Sequence, residues 1–228
     1  TLTATTGNIT VLNTAAANDV DGGSSTIAMT AADDEGIITI SSGADVEATG
    51  GVTLTADKMA LSGTINLGSA GATTVPLQPE TVNDADAIDL GPNGGTGNTL
   101  ELSDAELDNV TATTLRVGSD SSGAITISQA LTPGSITNLS LLSTEGLTQG
   151  SGDTITVSGL RIDVDTAVTL NEANVVTTLA ANVADGSNAF SFKDNDTLII
   201  GTVDGTFGVS TSNSNVTINL NAGDLTQT

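Results

Sequence analysis

Arg161-Ile-Asp-Val-Asp165 is the stretch of this chain whose residue types could do chemistry at close range. In an extended backbone successive side chains point to opposite faces, so Arg161, Asp163 and Asp165 share one face while Ile162 and Val164 share the other. Paired carboxylates beside a guanidinium could polarise a sugar, as in a polysaccharide lyase or hydrolase, or hold Ca²⁺. The same alternation also describes a solvated outer face backed by an apolar inner one. With no Trp or Tyr in the chain, the rings that stack on sugars are missing.

Two further groups resemble pieces of calcium loops: Asp19, Asp21 and Gly22, and separately Asp194, Asn195 and Asp196. Neither carries an alternation of ligands closed by a Glu, nor the repeated GGxGxD nonapeptide. Asp and Asn are also ordinary turn residues, so the expectation is no cofactor, with Ca²⁺ at Asp19, Asp21, Asp194 or Asp196 the one candidate. The pairs Thr1/Thr3, Thr53/Thr55, Thr111/Thr113 and Thr154/Thr156 bring to mind the flat hydroxyl ladders with which some solenoids bind ice. Such a face needs its hydroxyls on one side at constant register, and the irregular spacing of the pairs predicts that they lack it. Serines are plentiful, but a chain without His has no Ser-His-Asp triad. Gly94-Gly-Thr-Gly97 lacks the Lys and the following helix of a phosphate loop. No catalytic residues are assigned, and the chain reads as a non-enzyme.

The elements that would position these residues are short strands between glycine turns. Gly7-Asn-Ile-Thr-Val11, Gly36-Ile-Ile-Thr-Ile40, Gly50-Gly-Val-Thr-Leu54, Gly63-Thr-Ile-Asn-Leu67 and Gly123-Ala-Ile-Thr-Ile127 share one pattern. It is a turn glycine, a free position, an apolar residue, Thr or Asn, and another apolar residue. Looser copies begin at Asp153, Thr166 and Ser214. A strand-turn unit that cannot bury its face alone, repeated many times, predicts a stacked solenoid. Strands are expected over residues 8–11, 26–30, 37–41, 52–56, 64–67, 99–103, 111–117, 124–128, 136–142, 154–160, 167–170, 175–179 and 190–192. Val216, Ile218 and Leu220 alternate with Thr217 and Asn219 and are expected to face the lumen. Phe190 and Phe192 should point the same way, into the core. Three of the four prolines, Pro76, Pro79 and Pro92, fall with four acids in residues 75–98, which predicts a loop excursion or a seam there.

Composition agrees with a thin core. Only 1% of residues are aromatic, so Val, Ile, Leu and Ala must fill the interior. The net charge of −23 sets the surface against phosphates and anionic lipid, so neither nucleic acid nor membrane insertion is expected. Without Cys there are no bridges to place the chain in an oxidising compartment, though nothing in it could cross-link during export unfolded. Strand units close to both ends predict a fragment of something longer.

Residues 123–180 and 194–227 resemble the repeat region of filamentous-haemagglutinin-type exoproteins. The resemblance is closer over the C-terminal half than over the N-terminal half. It implies a right-handed parallel β-helix, export by two-partner secretion, and a place on a bacterial cell surface or in the medium. The expected fold is therefore an all-β, right-handed parallel β-helix over residues 1–228. The expected function is a non-catalytic shaft section of an adhesin, presenting a binding region to a host or neighbouring-cell surface or a matrix glycan. A self-assembling extracellular filament subunit, associating end to end, and a β-helix polysaccharide lyase or hydrolase are the alternatives.

Overall fold

Each apolar-polar-apolar unit can bury its inner side chains only against the next copy of itself, and the chain resolves this by coiling. A computed structural model describes residues 1–14, 18–67, 74–79, 86–92 and 97–228. The strands form a parallel β-solenoid in which the chain visits three faces in turn. Early in the chain, Ile27–Ala31 lies on the first face, Ile37–Ile40 on the second and Asp45–Glu47 on the third. Val52–Thr55, Lys58–Leu61 and Thr64–Asn66 then repeat the circuit one level on.

Register is kept along the whole first face. Met29 pairs with Leu54, Leu54 with Leu77, Leu77 with Val117, Val117 with Leu141, Leu141 with Ile162 and Ile162 with Ala181. All of these are buried, so one inward column runs through successive coils. Val, Ile and Leu suit such a position because branched side chains pack well on a pleated surface. Phe190 and Phe192 are both fully buried on the second face, their rings stacked with centroids 6.4 Å apart.

Corners need special backbone. Gly118 ends the strand Val110–Gly118 at φ +85°, and a Cβ there would lie 2.1 Å from the Leu142 carbonyl oxygen of the next coil. No other residue type fits this close approach of neighbouring coils.

Residues 75–98 are organised differently from the excursion expected there. Thr74–Gln78 is a rung that pairs over Thr74–Leu77 with 114–117 and, past Pro76, at Leu77 and Gln78 with Leu54 and Thr55, and Ala87–Leu90 is a rung beside Ile125–Ile127. Pro76 removes one ladder donor but points outward, while Val75 and Leu77 on either side are fully buried, so the rung holds. The parts of the expected excursion at 80–85 and 93–96 lie outside the described residues. The irregularity that the structure describes comes just after. Thr99–Glu101 turns back to pair with Ala87–Leu90, adding an extra rung to the second face, and a helix follows at Asp104–Asp108. Ser103 and Glu106 form a capping box, with Ser103 donating from N and Oγ to Glu106 Oε2. The other oxygen, Oε1, accepts from the Leu61 amide at 3.1 Å, and Asn109 Nδ2 donates to the Leu61 carbonyl at 2.7 Å. Two side chains thus stand in for a strand at the point where, among the described residues, Leu61 has no backbone partner on that side.

Val216–Leu220 has the expected alternation but not the expected burial. It pairs with Phe190–Asp194, yet Val216 is 45% exposed and Ile218 and Leu220 are only half-buried. No described coil covers them. Burial by stacking needs a neighbour on each side, and this rung has one.

A charge placed at Ile127, fully buried in mid-stack, should therefore cost more than one at Ile218. Ile127→Asp is expected to lose roughly 3 kcal/mol or more, Ile218→Asp about half that, and Thr217→Asp no more than about 0.5 kcal/mol. Urea denaturation of the three variants measures this, and equal losses at Ile127 and Thr217 would contradict the inward-outward assignment.

Candidate functional site

The densest polar cluster among the described residues lies on the outer side of the first face. Arg116, Ser140 and Arg161 come from three successive coils and fall in one column, since Arg116 pairs with Ser140 and Ser140 with Arg161. Each sits between inward neighbours, so strand alternation turns all three outward. Ala180 is next in the column, and its small side chain is fully buried beneath an added element.

That element is a hairpin, the one antiparallel pairing among the described residues. Thr202–Val203 pairs with Thr206–Phe207 across the two-residue turn Asp204-Gly205. Both turn residues have positive φ, +47° and +83°, the geometry of a type I′ turn, which matches the twist of its strands. Gly208 N donates to Gly201 O at 2.8 Å and closes the base. Val203 is buried against Gly159, where a Cβ would come 3.2 Å from Val203 Cγ1 and 2.2 Å from Asn138 Oδ1, so the hairpin seats because position 159 has no side chain.

Folded down in this way, the hairpin lays Asp204 on the column. Arg116 donates to both carboxylate oxygens at 2.7 Å, Ser140 Oγ donates at 2.7 Å and Arg161 Nη1 at 3.2 Å. Only 9% of the Asp204 side chain is exposed. Burial works to raise its pKa, but the hydrogen bonds from Arg116, Ser140 and Arg161 and the charge of Arg116 outweigh it and hold the carboxyl below its ordinary range. The hydrogen bond to Asp204 in turn pushes the Arg116 pKa up, against the effect of burial. Two of the four basic residues of the chain meet on one carboxylate. A recess of about 570 Å³ opens beside them, with Gln78, Asp120, Asp163 and Thr206 in its wall.

The residues expected to act together do so only in part. Arg161 Nη2 pairs with Asp163 Oδ2, and Asn182 Nδ2 donates to Asp163 Oδ1 at 3.1 Å. Ile162 and Val164 are buried, as the alternation requires. Asp165 lies past the end of Thr156–Val164 and lines a separate recess of about 100 Å³ with Asp120 and Asp163. Asp163 is thus held between a guanidinium and an amide. Asp204, Arg116 and Ser140 were missed. The Asp-Gly pair flanked by Thr-Val and Thr-Phe was a readable hairpin signal for Asp204. Arg116 and Ser140 carried none, because only coil register brings them together.

The calcium candidates all accept hydrogen bonds that hold turns or neighbouring coils. Asp19 accepts from the Thr14 amide and hydroxyl and the Asp45 amide, and the Thr14 hydroxyl is the main reason its pKa is lowered. Asp21 accepts from the Gly23 amide, and Asp196 from the Thr197 amide. Asp194 is fully buried and accepts from the amides of Val176 and Asp196, both at 2.9 Å. Its pKa is raised by burial, against those hydrogen bonds. No three acidic side chains among the described residues are grouped so as to hold a metal ion.

The four threonine pairs do not form one column: Thr53 and Thr55 lie on the first face, and Thr111 pairs with Asn66 on the third. The central residues of the repeated units behave otherwise. Thr126, Thr148, Thr169, Ser191 and Thr217 pair in unbroken succession on the second face. Irregular spacing along the chain therefore does not mean irregular register in space, because corner loops absorb the differences in length.

No protein-family model matches the chain, and neither does any curated protein or solved structure.

Asp204 and Asp194 should respond to pH with opposite sign. The folded pKa of Asp204 is depressed, so its contribution to stability is present above about 3.8, the ordinary Asp value, and is lost as pH falls through the folded pKa. Asp204→Asn should be destabilised at pH 7 by roughly 1–3 kcal/mol, with the gap closing in acid. The folded pKa of Asp194 is raised, so ionisation there opposes folding above it and the penalty fades as pH falls toward the ordinary value. Asp194→Asn keeps an acceptor for Val176 N and should be neutral or stabilising at pH 7. Asp194→Ala leaves that buried amide unpaired and should cost about 1–3 kcal/mol. Urea melts of the variants between pH 3 and 7 check both signs.

Proposed function

We propose that the chain is a length of shaft in a secreted or bacterial cell-surface adhesin, non-catalytic, holding a binding region at a distance from its anchor. The observation that carries this reading is the continuity of the stack: inward columns of Val, Ile, Leu and Ala run from coil to coil with parallel register on the first face. An object built this way lengthens by adding coils, since each coil contacts only its neighbours. The acidic surface keeps such rods apart and in solution. The resemblance of residues 123–180 and 194–227 to filamentous-haemagglutinin-type repeats points the same way, and with it come export by two-partner secretion and a cell-surface or glycan partner. The way Asp163 is held between Arg161 and Asn182 weighs against a lyase or hydrolase.

A second reading is a self-assembling extracellular filament subunit, in which the strand edge of one copy pairs with that of another.

Small-angle scattering of the purified chain should give a rod of constant cross-section whose length does not change with concentration. Pectate, alginate and hyaluronan should release no unsaturated or reducing ends, with or without Ca²⁺. Turnover lost on Asp163→Asn would overturn the shaft reading in favour of the enzyme, and fibres growing with concentration would favour the filament.

A further inference from the structure

We propose that the second face carries an ice-binding surface, formed by the outward hydroxyls of five successive coils. Thr126, Thr148, Thr169, Ser191 and Thr217 pair one with the next. Parallel backbone pairing sets their repeat at roughly 4.8 Å. All are exposed except Ser191, which is half-buried and donates to Asn171 Oδ1 at 2.7 Å.

The ladder is rigid for two reasons. The hydroxyl residues are flanked by inward side chains, and in three of the five coils both are fully buried: Ile125 and Ile127, Val168 and Leu170, Phe190 and Phe192; beside Thr148, Leu147 is fully buried and Gln149 is half-buried, its Nε2 donating to Asn174 Oδ1 at 2.7 Å. Threonine is also stiff at χ1, so a row of threonines in one backbone conformation holds its hydroxyls and methyls in one orientation. On one side the ladder is bordered by low relief as well. Two residues before each of the first four hydroxyls stand Ala124, Gly146, Ala167 and Ala189, which add almost no relief. It is nearly uncharged: on the rows either side of the ladder the one charged residue is Lys193, in a chain of net charge −23. Where the extra rung enters, Asp89 pairs with Thr126 and Glu101 with Asp89, and the hydroxyl series stops.

These features select the occupant. A protein partner would be anchored by aromatic or arginine side chains, and the face has none. A glycan would be met by stacking rings, which are absent. A polyanion would be drawn by bases, where there is a single lysine. What a rigid, neutral row of hydroxyls at fixed repeat does complement is a solid that presents oxygen at a closely similar repeat, which ice does along a crystal axis. Waters held between the hydroxyl row and the alanine row would join that lattice, and a pre-ordered face loses little entropy in binding it.

The test is partition of the purified chain into slowly growing polycrystalline ice, together with thermal hysteresis. Thr148→Lys and Thr169→Tyr place bulk in the middle of the ladder on exposed positions, where the fold should tolerate it, and a circular dichroism melt confirms that each variant is folded. Thr177→Lys, an exposed threonine off this face, is the control. The chain and the control should enter the ice fraction at least tenfold more than serum albumin does, with both ladder variants excluded like albumin. Exclusion of the unmodified chain, or entry of folded Thr148→Lys at the unmodified level, overturns the proposal. Retention on crystalline cellulose or chitin, lost in Thr148→Lys and unaccompanied by ice entry, overturns it in favour of a glycan. None of these outcomes bears on the shaft reading, which stands or falls on rod shape and glycan turnover.

Discussion

Parallel backbone pairing between successive coils is the constraint on which everything else in this molecule depends. In a parallel ladder every residue sits beside its counterpart in the next coil, so like stacks on like. An apolar residue facing inward once must find an apolar residue facing inward on both sides of it. The columns from Met29 to Ala181 and from Ile125 to Phe190 are the result. The same rule acts on the outside, where it produces a row of hydroxyls on one face and the pair of arginines on another. Inner and outer columns are two consequences of one register.

Polar groups inside the corners obey it too. Asn174 and Asp194 are both fully buried and pair across adjacent coils. Asn174 Oδ1 accepts from the Ile155 amide, and Asp194 Oδ2 accepts from the Val176 amide. Each side chain holds a backbone donor of the preceding coil at a place where the strand bends and a ladder bond is unavailable. Asn also donates from Nδ2, to the carbonyls of Glu172 and Lys193. Asp cannot donate when ionised, and it carries the cost of a buried charge.

Most of the architecture was legible in the sequence because the repeated unit states it locally: a turn, then apolar residues two apart. The strands at Ile9–Val11, Ile37–Ile40 and Ile125–Ile127 follow from that pattern alone. Legibility failed wherever the outcome depended on the neighbouring coil. Pro76 looked like a breaker, and is tolerated because Val75 and Leu77 beside it are fully buried and Leu77 is paired on both sides. Val216 looked like a lumen residue, and is exposed because one of its sides is uncovered. The threonines looked scattered because intervals along the chain vary at corners that the stack ignores. In the polar cluster, Arg161 and Asp163 were visible as a local pair, while Arg116 and Ser140 are far away in sequence and had no local mark.

The hairpin that carries Asp204 leaves the first face through a gap that the rung beneath it does not register. Gly201 N donates to the Leu179 carbonyl, and Ala181 N donates to the Gly208 carbonyl, so residues 179 and 181 are hydrogen-bonded as though 201 and 208 belonged to an unbroken strand. On either side, Leu198–Ile200 and Val209–Thr211 continue over the same rung. The two glycines form a splice site: whatever is inserted between them is invisible to the ladder. Decoration of the outer wall is in this way uncoupled from construction of the inner one. A lineage of such rods, or a designer, could exchange the six residues between Gly201 and Gly208 for a loop of another length without retuning the inward columns, and would need to rematch only the outer positions that the present hairpin uses, Arg116, Ser140, Gly159 and Arg161.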